Sequence, residues 1–158
     1  MTGPAPTRRA AAAPLRWGTE RDRIGWGVIL IVSGAVAITG FDAFVLWLLF
    51  AGILAHIAGW SILPSDGRRR VIAAALSTPA VLLLLTGPRF MAVLALPYIG
   101  WLLVRRRPLR SYPTLAFVVA GAVIVARLFP DFGGMLPAIG IEFLVIVGSA
   151  WVARAVAK

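Results

Sequence analysis

The chain has no cysteine and a single histidine, His56. The first absence excludes disulfides, thiolate metal sites and a cysteine nucleophile. The second leaves no histidine cluster to hold a metal ion, and no carboxylate stands near His56 at ligand spacing. Charge is scarce as well, at 14% of residues, where a soluble domain carries about 25%. Only 6 residues are acidic. Enzymes that modify lipids within a membrane need several Asp, Glu or His side chains at the interface. Here the loops offer Asp66 on one side and Asp42 and Asp131 on the other. No catalytic, metal-binding or cofactor motif stands out, so the expectation is a non-enzymatic protein without a cofactor.

What the chain does have is apolar length. Hydrophobic residues make up 60% of its 158 positions, and the mean hydropathy is +0.91. A water-soluble protein this small cannot hide that much apolar surface. Lipid is the expected solvent for most of the chain. The net charge of +10 would suggest nucleic acid in a soluble protein. No polar domain here is large enough to read one. Of 16 Lys and Arg residues, 14 fall in segments on one side of six apolar stretches, which is the positive-inside bias.

The spacing predicts an all-α, multi-pass transmembrane bundle of six helices arranged as three hairpins. The spans are expected near residues 24–40, 43–63, 71–86, 90–104, 114–129 and 135–153. Residues 1–23 read as a disordered basic tail, rich in Ala, Pro and Arg, and residues 155–158 as a short end beyond the bundle. The transmembrane domain is 24–154. The arginine-rich side carries the tail, Arg68–Arg70, Arg105–Arg107, Arg110, Arg154 and Lys158. Both termini are therefore expected in the cytoplasm, with three short turns outside. The Ala, Arg and Gly richness points to a GC-rich genome and a bacterial inner membrane. Spans 1 and 3 open with Arg23-Ile24 and Arg70-Val71 and close with Thr39-Gly40 and Thr86-Gly87, both at an offset of 47.

Small residues mark expected packing faces. They are Gly27 and Gly34 on span 1, and Gly52, Ala55, His56 and Gly59 on span 2. Span 5 offers Ala116, Ala120 and Gly121, and span 6 offers Gly140, Leu144 and Gly148. Pro79 and Pro97 fall near the middle of spans 3 and 4, where they read as kinks or as broken helices lining a site. Ser77 and Thr78 stand ready to satisfy a carbonyl freed by Pro79. Trp17, Trp26, Trp60, Trp101 and Trp151 are expected in one interfacial belt and Trp47 in the other.

Two polar groups inside the spans need partners. Glu142 lies in span 6, about 10 Å from its outer end. A carboxylate there costs at least about 2–3 kcal/mol unless it is paired, protonated or wet. Arg127, near the outer end of span 5, is the expected partner, in an ion pair that fixes register. The alternative is a titrating or substrate-binding carboxylate in a small proton- or solute-translocating protein that uses Glu142 and Arg127. Ala138, Glu142 and Ser149 form a stripe expected to face the bundle interior. His56 reads as a hydrogen-bonded packing residue, with a proton relay as the sharper alternative. Arg68, Arg69, Arg70, Arg105, Arg106, Arg107 and Arg110 are candidate contacts for anionic lipid headgroups. The expected partners are thus the bilayer and its anionic lipids, with a homo-oligomer or larger membrane complex as a further possibility, and no nucleic acid.

Residues 27–34 (Gly-Val-Ile-Leu-Ile-Val-Ser-Gly) and 52–60 (Gly-Ile-Leu-Ala-His-Ile-Ala-Gly-Trp) form one glycine-spaced hairpin. Residues 120–130 (Ala-Gly-Ala-Val-Ile-Val-Ala-Arg-Leu-Phe-Pro) and 140–148 (Gly-Ile-Glu-Phe-Leu-Val-Ile-Val-Gly) form another. This pattern resembles small six-helix bacterial membrane proteins of the acid-resistance (HdeD-like) type. The resemblance covers two of three hairpins; the middle one carries Pro79 and Pro97 in place of the glycine spacing. It implies a structural or stress-related membrane component and no catalytic residue.

Overall fold

The computed structural model describes residues 18–40 and 46–157. Within them every regular element is helical. Six α-helices follow in order: α1 (Glu20–Thr39), α2 (Leu46–Ile62), α3 (Gly67–Leu83), α4 (Ala95–Val104), α5 (Leu115–Leu128) and α6 (Met135–Val156). Short 3-10 segments join several of them, notably Pro88–Leu94 ahead of α4 and Leu109–Thr114 ahead of α5. Four continuous helical stretches are long and apolar enough to cross a membrane: Glu20–Thr39, Gly67–Thr86, Leu109–Leu128 and Phe132–Val156. Leu46–Ile62 and Pro88–Val104 are apolar but shorter. Of the six expected spans, four are thus long and the second and fourth are short. The expected start of the second, at Ala43, lies outside the described residues, as do residues 1–17 of the tail, the turn at Asp42, and Lys158.

The helix boundaries have local causes. α1 begins at Glu20, not at residue 24, because Thr19 caps it. The Thr19 hydroxyl accepts from the Asp22 N–H, and the Asp22 carboxylate accepts from the Thr19 N–H at 2.8 Å. This reciprocal pair satisfies two of the free donors at a helix start. Residues 18–23 thus belong to the folded domain, not to the tail. α3 keeps Pro79 inside it. Pro97, by contrast, is the third residue of α4. A first-turn N–H has no intrahelical acceptor, so proline costs little there. The expected mid-span kink at Pro97 is instead a change from 3-10 to α-helix just ahead of it. Gly87 makes the turn between the third and fourth spans at φ +115°, a region a side chain strongly disfavours. α4 ends with Arg106 in the left-handed region, φ 51°. The Arg106 and Arg107 N–H groups reach back to the carbonyls of Leu103 and Leu102 at 3.2 and 3.0 Å. Pro108 follows, and the chain cannot continue the helix.

α1 packs along α2, α3 on α4, and α5 on α6. The offset of 47 recurs in the helices themselves, since Glu20–Thr39 and Gly67–Thr86 are both 20 residues long. In each, the closing threonine turns its hydroxyl back on its own helix, Thr39 onto Ala35 O and Thr86 onto Leu83 O.

The α1–α2 contact is the closest in the bundle. A Cβ on Gly34 would lie 2.6 Å from the Gly52 carbonyl oxygen and 2.6 Å from the His56 nitrogen. A Cβ on Gly59 would lie 2.7 Å from the Gly27 oxygen. Two heptad-spaced glycines on each helix therefore meet in antiparallel register, as expected for this hairpin. The third hairpin packs differently. Gly140 and Gly148 meet nothing within 4 Å, and Leu144 is 69% exposed. The expected packing side of α6 is its outer side. Ala116 and Ala120 of α5 are likewise exposed. The actual contact runs through Val118, Gly121, Ala122 and Val125 of α5 and Ala138, Glu142, Val145 and Ser149 of α6.

Candidate functional site: buried polar groups and the arginine-rich end

His56 is enclosed between α1, α2 and α3, with 1% of its surface exposed. Its Nδ1 lies 2.9 Å from the Ile31 carbonyl oxygen, and its Nε2 lies 2.6 Å from the Ser77 Oγ. The Trp60 indole also donates to Nε2, at 3.3 Å. An indole N–H can only donate, so Nε2 accepts. The ring is then neutral: Nδ1–H donates to Ile31 O, and Nε2 receives the Ser77 hydroxyl and the Trp60 N–H. One imidazole ties three helices together. Ser77 is spent on this tie and does not serve the carbonyl freed by Pro79. Thr78 does not either, since its Oγ1 is buried with no hydrogen-bond partner. Trp60 is 2% exposed and belongs to the interior, not to an interfacial belt. Trp26, Trp47 and Trp151, at 60–76% exposure, face outward.

The Ser77–His56 distance is that of a nucleophile and its base, with the Ile31 carbonyl orienting the ring. Both side chains are enclosed by helix packing. A second buried pair, Tyr98 OH and Thr114 Oγ1 at 2.6 Å, ties α4 to the start of α5. Ser111 Oγ donates to the Ala153 carbonyl at 3.0 Å and ties the same segment to α6. The sequence singled out Ser77 only as a partner for the carbonyl freed by Pro79, and nothing in its spacing marked Tyr98, Ser111 or Thr114 from other hydroxyls.

Glu142 is fully enclosed in α6, on the expected interior stripe with Ala138 and Ser149. Its carboxylate lies against α5 at Gly121, where an added Cβ would be 3.1 Å from Oε2. Neither of its oxygens has a hydrogen-bond partner. The expected ion pair with Arg127 is not formed. α5 turns Val118, Ala122 and Val125 inward. Arg127, two residues past Val125, points about 200° around the helix and is exposed. Its position along the helix was suitable, but its face is wrong.

The basic residues gather at one end of the bundle and tie it together. Arg23 Nε donates to the Ile62 carbonyl, Arg70 to Ser61, Arg69 to Leu103 and Arg110 to Ala157. Those carbonyls lie at the C-terminal ends of α2, α4 and α6. Such groups have no partner within their own helix, and the helix dipole favours a cation beside them. Arg105 meets Glu20 at 3.4 Å, and Arg106 meets Asp66 at 2.6 Å. Arg69 also approaches Asp66, at 3.5 Å. The arginines expected to touch lipid headgroups are therefore largely engaged in capping and surface pairs. Arg68 and Arg107 have no ion pair among the described residues.

Among the described residues no group of three His, Asp or Glu side chains comes together as a metal site. Compared with known proteins, the chain matches no family model, no curated protein and no solved structure.

Proposed function

We infer that the protein is a non-enzymatic integral membrane protein, a structural, accessory or stress-related component of a bacterial inner membrane. The arginine-rich end faces the cytoplasm, as the positive-inside bias requires. The observation that carries the reading is how the interior hydroxyls and the imidazole are used. His56, Ser77, Tyr98, Ser111 and Thr114 each bond to a neighbouring helix or to the segment leading into one. In lipid, where apolar faces gain nothing by meeting, such bonds and close backbone contacts are what holds helices together. The outward row of Gly140, Leu144 and Gly148 supports assembly with a further helix, in a homo-oligomer or a larger complex.

A second reading rests on Glu142, an enclosed carboxylate without a partner. Intramembrane carboxylates of that kind mark proton or ion pathways. Reconstitution into vesicles with an internal pH dye tests both. The accessory reading expects no protein-dependent proton flux and a stable assembly in mild detergent. A flux that disappears in Glu142→Gln replaces it with translocation.

A further inference from the structure

A groove of about 780 Å3 runs between α1 and α6, with α4 along its floor. Val28, Val32 and Ala35 form one wall, Phe143 and Val147 the other, and Pro97 lies beneath. Its volume is within the range of about 300–1,000 Å3 usual for small-molecule sites. On α6 it extends from Ile139 to Arg154, about 22 Å at 1.5 Å per residue. That exceeds the roughly 15 Å that one leaflet contributes to the hydrocarbon core. One end carries three arginines, Arg105, Arg107 and Arg154. The acidic group there is Glu20, which meets Arg105. Arg107 and Arg154 have no ion pair among the described residues. Trp101 and Trp151 stand beside the arginines, and Trp151 is 76% exposed.

We propose that this groove is a binding site for an anionic phospholipid, with one acyl chain between α1 and α6 and the phosphate at Arg105, Arg107 and Arg154. An acyl chain gains little by leaving the bilayer for an equally apolar wall. The groove therefore sets shape and depth, and the arginines set selectivity. Basic pockets between membrane helices recognise anionic headgroups in this way. The tryptophans mark the level at which a headgroup meets its chains.

The test is lipid retention by the purified full chain. Detergent-solubilised protein is equilibrated with equal amounts of phosphatidylglycerol and phosphatidylcholine, and bound lipid is read by native mass spectrometry. The expected result is one retained phosphatidylglycerol per chain. Each arginine near a headgroup is worth about fivefold. Arg107→Gln with Arg154→Gln should cut the preference for phosphatidylglycerol about 25-fold, and Arg68→Gln, outside the groove, should leave it unchanged. Gly140 borders the groove, and a side chain there meets open space. Gly140→Phe should therefore lower retention of both lipids in a folded protein, and it remains informative if the double arginine variant does not fold. Equal retention of the two lipids overturns the proposal, as does an unchanged preference in the double variant. Inorganic phosphate competing at the lipid's own concentration also overturns it, because the acyl groove would then add nothing. So does a dimer that retains no lipid, since a second copy would cover the groove.

Discussion

Replacing Gly34 by alanine adds one methyl group at the point where α1 and α2 are closest. That methyl would sit 2.6 Å from both the Gly52 oxygen and the His56 nitrogen, and 3.0 Å from the His56 Cα. All three are backbone atoms, so no side chain can rotate away. The helices must part by about 0.8 Å to reach ordinary contact distance. Overpacking of this kind costs about 1–3 kcal/mol. The same displacement stretches the Nδ1–H bond from His56 to Ile31 O, now 2.9 Å, beyond hydrogen-bonding range. Interhelical bonds in membranes average about 0.6 kcal/mol, with a maximum near 1.7. Alanine's better helix propensity offsets up to about 1 kcal/mol of this, so the expected loss is about 1–4 kcal/mol, read as reversible unfolding in mixed micelles. Gly148→Ala is the control, because its methyl meets nothing within 4 Å. It should gain up to about 1 kcal/mol from helix propensity. If both alanines behave alike, or if Gly34→Ala costs less than about 1 kcal/mol, the backbone contact between α1 and α2 is not what holds the hairpin.

Three further outcomes are expected. Glu142→Leu removes an enclosed carboxylate with no partner and should raise stability by about 1–3 kcal/mol in the same unfolding assay; a loss would mean the carboxylate is bonded. Arg127→Ala combined with Glu142→Gln should be additive within about 0.5 kcal/mol, because the two side chains lie on different faces. A coupling above about 1 kcal/mol would restore the ion pair. Ser77→Ala and Tyr98→Phe should each cost about 0.5–1.5 kcal/mol, and Ser77→Ala should have little further effect in a His56→Leu background. Equal effects in the two backgrounds would show that Ser77 acts elsewhere.

The features legible in the sequence were those set by neighbours along the chain. Apolar runs ending at Gly40, Pro64, Gly87 and Pro130 marked the helices to within a few residues. The start of α1 was legible too, because Thr19 and Asp22 have the spacing of a capping box, but the basic residues around them suggested a tail. Glycine spacing exposed both sides of the first hairpin, since Gly27 and Gly34 could be matched to Gly52 and Gly59. On α6 the same reasoning met two stripes on one helix. Gly140 and Gly148 are eight residues apart, and Glu142 and Ser149 are seven. Periodicity identifies a face but not which face has a neighbour. The arginines show the same limit. Their distribution along the chain sets an expectation for a side of the membrane, but capping a carbonyl depends on which helix ends the fold gathers beside them.

The two outer hairpins are held by different physics. α1 and α2 touch backbone to backbone through four glycines, and His56 bonds across them and on to α3. α5 and α6 meet mainly through side chains, with a single glycine, Gly121, at the contact and an unpartnered carboxylate against it. Without hydrophobic gain between helices in lipid, close backbone approach and satisfied polar groups decide which pair is stiffer. The first hairpin has both; the third has a side-chain contact weakened by an unsatisfied charge-bearing group. The groove lies between these unlike units, one wall on α1 and the other on α6. Opening it would move the less tightly held hairpin against the more tightly held one, leaving the glycine contact and the His56 bonds intact. A lipid bound there would add contacts between the two hairpins where the protein supplies fewest of its own.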